Sequence, residues 1–361
     1  MNNKKNIICV IGTRPEAIKM VPVITTLTAS AWAKCIVVAT AQHRDLLDQI
    51  LSRFDIKVHY DLNLMKSKQS LNGLLAHMLP SLETIIKKEN AFAVLAQGDT
   101  ASVFGAGLAA FHCQVPFGHI EAGLRTHNLE HPFPEEGYRQ MISRITHWHF
   151  APTNKAANAL IKEGISEDKI YITGNTGIDT LLQAVAKSHK PQKNNERIIL
   201  LTAHRRENFG EPLKNIFNAV LNVVESFEDV RIIYPVHPNP NVKTMAHAML
   251  ASHPRIELYE PFGYFDFVDA MQSADLILTD SGGVQEEAPA LGKPVLVLRK
   301  TTERPEPIEA GVSRLVGTDY DVILQNVKTL LTDETVYRSM SKKCFPYGDG
   351  HAAKKIVEVF Y

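Results

Sequence analysis

The feature that most constrains the fold is a repeated alternation of short β-rich runs with longer amphipathic stretches. In the first half, strand-like and helix-like segments alternate at 6–11, 16–29, 35–39, 44–54, 91–96, 102–111 and 115–120. The alternation restarts in the second half at 197–202, 213–227, 231–236, 256–258, 276–279 and 294–298. Strands that alternate with helices predict parallel sheets with crossover helices. The sequence therefore predicts an α/β fold of two Rossmann-like domains whose parallel sheets face a cleft.

A polar, proline-containing stretch at 187–196, KSHKPQKNNE, separates the two halves. Such composition is typical of a boundary region between domains. Ligands of open parallel sheets bind beyond the carboxyl ends of the strands. We therefore expect the functional residues in the loops that follow the strands.

The charge balance argues against two classes of partner. Lys plus Arg and Asp plus Glu are both 39, so neither a nucleic acid nor a membrane surface is expected as a partner. The four cysteines form no CxxC pair, which favours free thiols in a reducing compartment. No apolar stretch is long enough for a membrane span, and no signal sequence is recognised. We expect a cytoplasmic protein.

The first candidate site follows the first strand, in GTRPEAIK from Gly12 to Lys19. A glycine turn that opens a helix offers backbone N–H groups and the positive end of the helix dipole to an anion. Arg14 and Lys19 add two cations near that helix terminus. The pattern favours a phosphate site over the alternative, an ordinary strand–helix turn with solvated charges.

The second candidate site is TDSGGVQEE, which follows the strand at 276–279. Ser281 is a good helix cap, and Gly282 and Gly283 allow close approach of a phosphate. Glu287 could accept hydrogen bonds from ribose hydroxyls. The alternative for this glutamate, a favourable charge near a helix N-terminus, is equally consistent with its spacing.

Three carboxylates follow strands or lie in a stiff loop. Asp99 lies in QGDT, Glu121 in HIEAGLRT and Glu135 in the proline loop PFPEE. Each alone is more often a helix cap or an ion-pair partner. Because strand ends converge on one side of a sheet, the set favours general acid–base chemistry.

Imidazole and guanidinium groups follow the first strand of the second half, in TAHRREN. His204 and Arg205 could stabilise a departing diphosphate, with a solvated charge cluster as the alternative. His237 lies in a rigid proline loop and is a plausible ligand contact. His147 and His149 flank Trp148 without partners at metal-ligand spacing, so no metal site is expected.

At this point the motifs resemble those of the bacterial non-hydrolysing UDP-N-acetylglucosamine 2-epimerases, in order and from Gly12 almost to the end of the chain. They are GTRPEAIKM, QGDT, HIEAGLRT, PFPEE, GNTGIDT, LTAHRRENFG, YPVHPNPNV, TDSGGVQEEAPALGKPVLVLRKTTERPE and EAGVSRLVGTD. The resemblance implies a glycosyltransferase-B-like fold. It implies an N-terminal domain at 1–180, to which a C-terminal helix at about 349–361 returns, and a UDP-binding domain at 181–348.

The resemblance also implies the reaction. UDP leaves by anti elimination as the C2 proton is removed, and it adds back to 2-acetamidoglucal with protonation of the other face. UDP-GlcNAc and UDP-ManNAc would be the ligands, no cofactor would be needed, and the protein would be a homodimer. Asp99, Glu121 and Glu135 become acid–base candidates, and His204 acts near the diphosphate. The implied substrate-binding residues are Arg14, Lys19, Phe267, Ser281, Gly282, Gly283, Glu287 and Arg304.

Family members of this type often need a second UDP-GlcNAc as an activator. The matching positions are Gln42, Asp45, Lys68, Glu135, Arg205 and His237. Asp45 stands where a glutamine is common and Lys68 where an arginine is common. Lysine keeps the charge and loses bidentate geometry. We expect allosteric activation, and these two positions are the ones that depart from the pattern of the regulated enzymes.

Three other functions share much of this pattern. A hydrolysing 2-epimerase would release ManNAc and UDP, a glycosyltransferase of the same fold would need an acceptor, and a nucleotide-sugar sensor would have no turnover. The several carboxylates argue against the sensor. The pathway that uses the product is open among capsule, teichoic-acid linkage units and lipopolysaccharide-type antigens.

Overall fold

The computed structural model describes residues 4–40, 44–64, 69–188 and 196–361, with only the backbone described at 44–46. The chain divides into unit 1, Met1–Thr180 with Tyr347–Tyr361, and unit 2, Leu181–Pro346. Each unit is built around its own sheet, and each is described by itself below.

Unit 1 contains, among the described residues, a seven-stranded sheet in which every neighbouring pair is parallel. Its strands are β1 Lys5–Ile11, β2 Ala33–Ala39, β3 Tyr60–Asp61, β4 Ala93–Gln97, β5 Phe117–Ile120, β6 Trp148–Ala151 and β7 Ile170–Ile172. The order across the sheet is β3-β2-β1-β4-β5-β6-β7. Five residues of β1 are buried in succession, as expected for a strand covered on both faces.

The helices of unit 1 connect these strands and cover the sheet. They are α1 Arg14–Ala29, α2 Arg44–Arg53, α3 Leu71–Lys88, α4 Ala101–His112, α5 Glu135–Ile145, α6 Asn154–Lys162 and α7 Thr176–Lys187. One apolar cluster joins α3 and α4 to the sheet through fully buried residues such as Val10, Met78 and Ala106. Small residues in α4 permit this close packing: a Cβ on Gly105 would lie 2.6 Å from the Met78 sulfur.

Unit 2 repeats the plan with a six-stranded parallel sheet in its described part. Its strands are β8 Arg197–Thr202, β9 Val230–Pro235, β10 Ile256–Tyr259, β11 Leu276–Thr279, β12 Val295–Val297 and β13 Ser313–Leu315. Its helices are α8 Glu211–Ser226, α9 Pro240–Leu250, α10 Tyr264–Ser273, α11 Gly282–Glu287, α12 Glu306–Glu309, α13 Tyr320–Thr332 and α14 Glu334–Met340. The order is β10-β9-β8-β11-β12-β13.

Both sheets reverse their strand order at an equivalent place. In unit 1 the reversal lies between β1 and β4, and in unit 2 it lies between β8 and β11. Loops that leave the carboxyl ends of two such strands diverge and leave a crevice where ligands bind. The candidate residues Asp99, His204 and Ser281 all follow strands at these reversal points.

The division between the units falls inside helix α7, upstream of the polar stretch at 187–196 that the sequence suggested as the boundary region. The first turns of α7 are tied to unit 1, since the Thr180 hydroxyl donates to the Ile18 carbonyl at 2.6 Å. The last helix, α15 Ala352–Glu358, also belongs to unit 1. Residues 189–195 of the polar stretch lie outside the described part of the chain.

No helix in the described ranges has the length and apolarity that a membrane crossing requires.

Candidate active site

The turn after β1 is closed by a glutamate of its own helix. Glu16 accepts hydrogen bonds from the amides of Gly12 at 2.6 Å and Thr13 at 3.3 Å, and the Thr13 hydroxyl in turn accepts from the Glu16 amide. This is a capping box. Glu16 is buried, and burial raises its pKa to about 7 although the hydrogen bonds oppose the rise. The amides on which the phosphate prediction depended are therefore already used, which corrects that argument.

The predicted phosphate ligand Lys19 instead meets a carboxylate within unit 1. Its ammonium group forms a short ion pair with Glu121, which also accepts hydrogen bonds from Gln97 and, at 3.0 Å, from Asn175. Glu121 adopts a left-handed backbone conformation with φ of 67°. A residue other than glycine rarely adopts this conformation, and functional sites are a common place for it. Three donors thus fix the carboxylate of a residue with an unusual backbone conformation at a strand end.

Asp99 and Glu121 follow residues that are paired across neighbouring strands. The amide of Gly98 donates to the carbonyl of Ile120 at 3.1 Å, so the next residue on each strand emerges at the same sheet edge. Gly98 has φ of 95°, a conformation that glycine adopts without a steric penalty. The structure therefore brings these two predicted catalytic residues together.

Asp99 is held by an arginine that the sequence analysis did not single out. Arg139 donates to the Asp99 carboxylate at 2.7 Å and also binds Glu136 through its Nε and Nη2 atoms. The Asp99 side chain is 32% exposed, so it remains accessible to a ligand. Arg139 thus holds one oxygen of the Asp99 carboxylate with a charge-assisted hydrogen bond while the side chain stays partly exposed.

Glu136 is the buried anchor of this network. Its side chain is fully buried and accepts hydrogen bonds from the amides of Thr126 and His127, both at 3.0 Å, as well as from Arg139. Burial acts to raise its pKa, but the hydrogen bonds, first among them that from Gln140, outweigh burial and lower the pKa to about 2. Glu136 is therefore ionised at neutral pH. Its neighbour Glu135, a predicted acid–base residue, is half-buried and begins helix α5.

His119 is a second residue of this site that the sequence analysis did not single out. Its Nε2 atom lies 2.7 Å from the Gly98 carbonyl, immediately before Asp99. Burial lowers the pKa of His119 to about 4, so the ring is neutral and donates this bond at physiological pH. Its neighbour across the strands, His149, is also buried, and burial lowers its pKa to about 3. In the described residues no group of three His, Cys, Asp or Glu side chains is placed to hold a metal ion.

In unit 2 a buried aspartate organises the turn after β8. Asp280 is fully buried, and its Oδ2 atom accepts from the amides of His204 and Arg205, each at 2.9 Å, and from Asn208 at 3.0 Å. Its other oxygen lies 3.4 Å from the His204 Nδ1 atom. Burial lowers the pKa of His204, and the Asp280 charge opposes that shift. One carboxylate thus sets both the backbone and the ring of the predicted diphosphate-binding histidine.

His204 also stacks on His237, with ring centroids 5.3 Å apart and planes inclined by 17°. His237 was predicted as an activator contact together with Arg205, and the structure gathers these two residues around His204. Of the remaining predicted activator positions, Gln42 and Lys68 lie outside the described residues, and the side chain of Asp45 is not described. The activator role stays a prediction.

The Ser281–Gly283 turn lies beneath the guanidinium of Arg304. A Cβ on Gly282 would lie 3.0 Å from the central carbon of that guanidinium, whereas Gly283 has open space around it. Arg304 is paired with the buried Glu286 at 2.9 Å. The sequence analysis predicted both the glycine turn and Arg304 as ligand contacts, and unit 2 brings them together.

A buried arginine connects the loops that carry these residues. Arg299 is 5% exposed and binds Glu207 at 2.7 Å and Glu303 at 2.8 Å. Glu207 belongs to the His204 turn, and Glu303 precedes Arg304. Arg299 thereby fixes two cationic groups of unit 2 relative to each other, a role that sequence spacing does not reveal.

The predicted nucleoside contacts occupy α10 and α11. Phe267 is half-buried in the first turn of α10, and Glu287 is the last residue of α11. Buried Tyr264, also in α10, has its pKa raised by burial and by the charge of Glu287. The ribose and base-binding roles of Glu287 and Phe267 stay predictions.

Carboxylates at neighbouring strand ends in one parallel α/β unit, and a histidine–arginine cluster beside a glycine turn in the other, are groups that suit acid–base chemistry and phosphate binding. A family model described as UDP-N-acetylglucosamine 2-epimerase matches residues 25–361. The chain belongs to this family. The prediction of two parallel-sheet α/β domains of the glycosyltransferase-B-like class is confirmed.

Individual relatives agree with this assignment over almost the whole chain. The UDP-N-acetylglucosamine 2-epimerase of Bacillus subtilis is 49% identical over 359 residues, which are 98% of this chain and 94% of the relative. The crystal structure of the Neisseria meningitidis UDP-GlcNAc 2-epimerase bound to UDP-GlcNAc matches with a TM-score of 0.89 and 44% identity, over 98% of this chain and 99% of that chain. The Methanocaldococcus jannaschii UDP-GlcNAc 2-epimerase matches with a TM-score of 0.86 and 32% identity, over 98% and 99% of the two chains.

Proposed function

We propose that this protein interconverts UDP-N-acetylglucosamine and UDP-N-acetylmannosamine without hydrolysis. The observation that carries the proposal is the pair Asp99 and Glu121 at the ends of neighbouring strands, one held by Arg139 and the other by three donors. Two differently supported carboxylates suit a reaction that removes a proton from one face of a carbon and returns it to the other.

In the proposed reaction a carboxylate takes the C2 proton as the bond between C1 and the diphosphate oxygen breaks. The electron pair of the C–H bond forms the C1–C2 double bond of 2-acetamidoglucal, and the electron pair of the C–O bond leaves with UDP. UDP then adds back to C1 while an acid protonates the opposite face of C2. Atoms and electrons balance with UDP alone as the leaving and returning group. Asp99, Glu121 and Glu135 are the proposed acid–base residues.

The proposed diphosphate contacts are cationic and polar groups in each unit by itself. In unit 2 they are His204, Ser281, Gly282, Gly283 and Arg304, with Glu287 on the ribose and Phe267 beside the base; in unit 1 they are Arg14 and Lys19. Arg304 beside the Gly282 turn is the best-supported of these, because a guanidinium next to a glycine turn suits a phosphate. Charge that develops on departing UDP would be stabilised by these groups.

Magnetic resonance in D₂O tests the reaction directly. UDP-GlcNAc incubated with the protein alone is expected to give a mixture of UDP-GlcNAc and UDP-ManNAc with deuterium at C2. Proton and phosphorus spectra recorded over time monitor this conversion. Free UDP that accumulates in step with free ManNAc would instead indicate a hydrolysing epimerase. No change until a sugar acceptor is added would indicate a glycosyltransferase.

Asp99→Asn tests the assignment of the carboxylates. We expect a loss of turnover of about 10²- to 10⁴-fold with UDP affinity unchanged, because the amide cannot take part in proton transfer. Asparagine still accepts a hydrogen bond from Arg139, so the local network is retained. Wild-type kcat in this variant would remove Asp99 from the reaction.

The setting of the reaction is part of the proposal. We propose a cytoplasmic homodimer that supplies ManNAc-type precursors for cell-surface polysaccharide. A second UDP-GlcNAc would act as an activator near Arg205 and His237 of unit 2. Initial rates with increasing UDP-GlcNAc test the activator, since sigmoidal dependence is expected and simple saturation would contradict it.

A further inference from the structure

The end of the chain returns to unit 1 and docks on the turn that precedes helix α7. The Tyr347 carbonyl accepts a hydrogen bond from the backbone N–H group of Asn175 at 2.6 Å. Gly348 and Gly174 meet backbone to backbone: a Cβ on Gly348 would lie 3.1 Å from the Gly174 Cα atom, and a Cβ on Gly174 only 2.9 Å from the Gly348 Cα atom. Both glycines have positive φ, 119° and 90° respectively. The contact therefore requires glycine at both positions.

Helix α15 anchors this contact from the other side. The buried carboxylate of Asp179, in α7, accepts hydrogen bonds from the amides of Ala352 at 3.2 Å and Ala353 at 2.9 Å. These are the first residues of α15, where backbone amides lack partners within the helix. The segment Tyr347–Ala353 is thus fastened at both ends to the start of α7.

Asn175 links this docked segment to the proposed active site. The residue is 3% exposed, and both ends of its amide are used: Oδ1 accepts from the Gly177 amide at 2.8 Å, and Nδ2 donates to Glu121 at 3.0 Å. The first bond fixes the side chain in its own turn. The second gives the Glu121 carboxylate one of its three donors, beside Lys19 and Gln97.

We propose that Asn175 is a positioning residue for Glu121 and that the segment Tyr347–Ala353 holds Asn175 in place. The proposal rests on the epimerase function proposed above, in which Glu121 is an acid–base residue. Side-chain donors hold both oxygens of the Glu121 carboxylate, so these donors set where it points. A displacement of about 1 Å in a reacting group costs as much as 100-fold in rate. The chain terminus therefore takes part in setting the geometry of the proton transfer.

Asn175→Asp tests the first half of the proposal. The variant keeps an oxygen for the Gly177 amide and replaces the donor to Glu121 by a second negative charge. We expect kcat to fall roughly 10- to 100-fold, a larger change than in KM for UDP-GlcNAc or Kd for UDP, because Glu121 is displaced and the nucleotide contacts of unit 2 are not. A kcat within about twofold of wild type would overturn the role of Asn175.

Gly348→Ala tests the second half, with Gly164→Ala as its matched control. Both glycines have positive φ, 119° at Gly348 and 83° at Gly164. A Cβ meets the Gly174 backbone only at Gly348, since nothing lies within 4 Å of the Gly164 position. Gly348→Ala is expected to lower kcat and leave KM unchanged, and Gly164→Ala to leave both unchanged. Equal kcat in the two variants would overturn the role of the segment.

A double-mutant cycle separates positioning from general destabilisation. If Gly348 acts on Glu121 through Asn175, Gly348→Ala lowers kcat much less in the Asn175→Asp background than in the wild type. Additive losses would overturn the coupling. The same assays keep the two proposals apart. A wild-type protein that does not exchange deuterium at C2 overturns the epimerase function, whereas normal wild-type exchange with unaffected variants overturns only this inference.

Discussion

Removal of the charge on Glu136 should destabilise unit 1 by an amount that the structure allows to be worked out. The pKa of this carboxyl falls from an ordinary 4.5 to about 2. Each pKa unit corresponds to about 1.4 kcal/mol, so the ionised group contributes about 3 kcal/mol at neutral pH. Asp99, on the far side of Arg139, is 32% exposed, and solvent screens that part of the network. The contribution of about 3 kcal/mol is therefore an upper value. We expect Glu136→Gln to lose about 2–3 kcal/mol, or roughly 5–10 °C in Tm.

The loss of stability in Glu136→Gln should depend on pH in a direction that follows from the lowered pKa of Glu136. A carboxyl whose folded pKa is depressed stabilises fully above its unfolded pKa and loses that contribution as pH falls through the folded value. The difference in free energy of unfolding between wild type and Glu136→Gln should therefore have its full value above pH 4.5 and shrink towards zero as the pH falls to 2. Both tryptophans, Trp32 and Trp148, belong to unit 1, so their fluorescence reports the unfolding of this unit.

The matched control is Glu83→Gln, an exposed glutamate on helix α3 that pairs with Lys87 one turn away. Its pKa is lowered by that lysine, but both side chains are in solvent, and we expect no measurable shift in Tm. Glu136→Gln that unfolds with the wild-type midpoint at pH 7 would refute the reasoning. So would a difference that stays constant from pH 7 to pH 2.5, because the loss would then come from packing and not from charge.

Two further predictions concern unit 2. Asp280→Asn removes the charge that opposes the lowering of the His204 pKa, so this pKa should fall further. The pH below which UDP binds tightly to protonated His204 should then move to lower values. UDP titration calorimetry from pH 5 to 8 checks this, and an unchanged pH profile of the affinity would contradict it. Gly282→Ala places a methyl group 3.0 Å from the Arg304 guanidinium and should raise KM several-fold with little change in Tm. A KM equal to that of the wild type in this variant would contradict the contact.

The strands of both sheets could be predicted from sequence because parallel strands covered on both faces are almost continuously apolar. The run at 197–202 matches β8, and that at 276–279 matches β11. The shortest strands gave no such signal: β3 has two residues, and β7 has three with none fully buried. Helix α3 was not predicted either. It contains Pro80 in its interior, a residue that in a sequence usually indicates a helix end.

The site was predicted less completely than the fold, since its supports lie far apart in sequence. The strand-end rule located Asp99 and Glu121, but Arg139 reaches Asp99 from 40 residues away, and no spacing rule connects them. Glu16 is different, because Thr13-x-x-Glu16 is a readable capping box and predicts that the helix terminus is closed by its own side chain. This pattern argues against open amides in the first turn of α1.

The turn after β1 in unit 1 and the turn after β8 in unit 2 both donate backbone hydrogen bonds to a carboxylate of the same unit. In unit 1 the amides of Gly12 and Thr13 donate to Glu16, and in unit 2 the amides of His204 and Arg205 donate to Asp280. Dinucleotide-binding folds present the corresponding amides to the pyrophosphate. Internal carboxylates occupy these amides here, so the amides are not open to a phosphate at either turn. Recognition of a diphosphate would then come from side-chain cations and from the glycine turn after β11, where the Arg304 guanidinium lies beside Gly282.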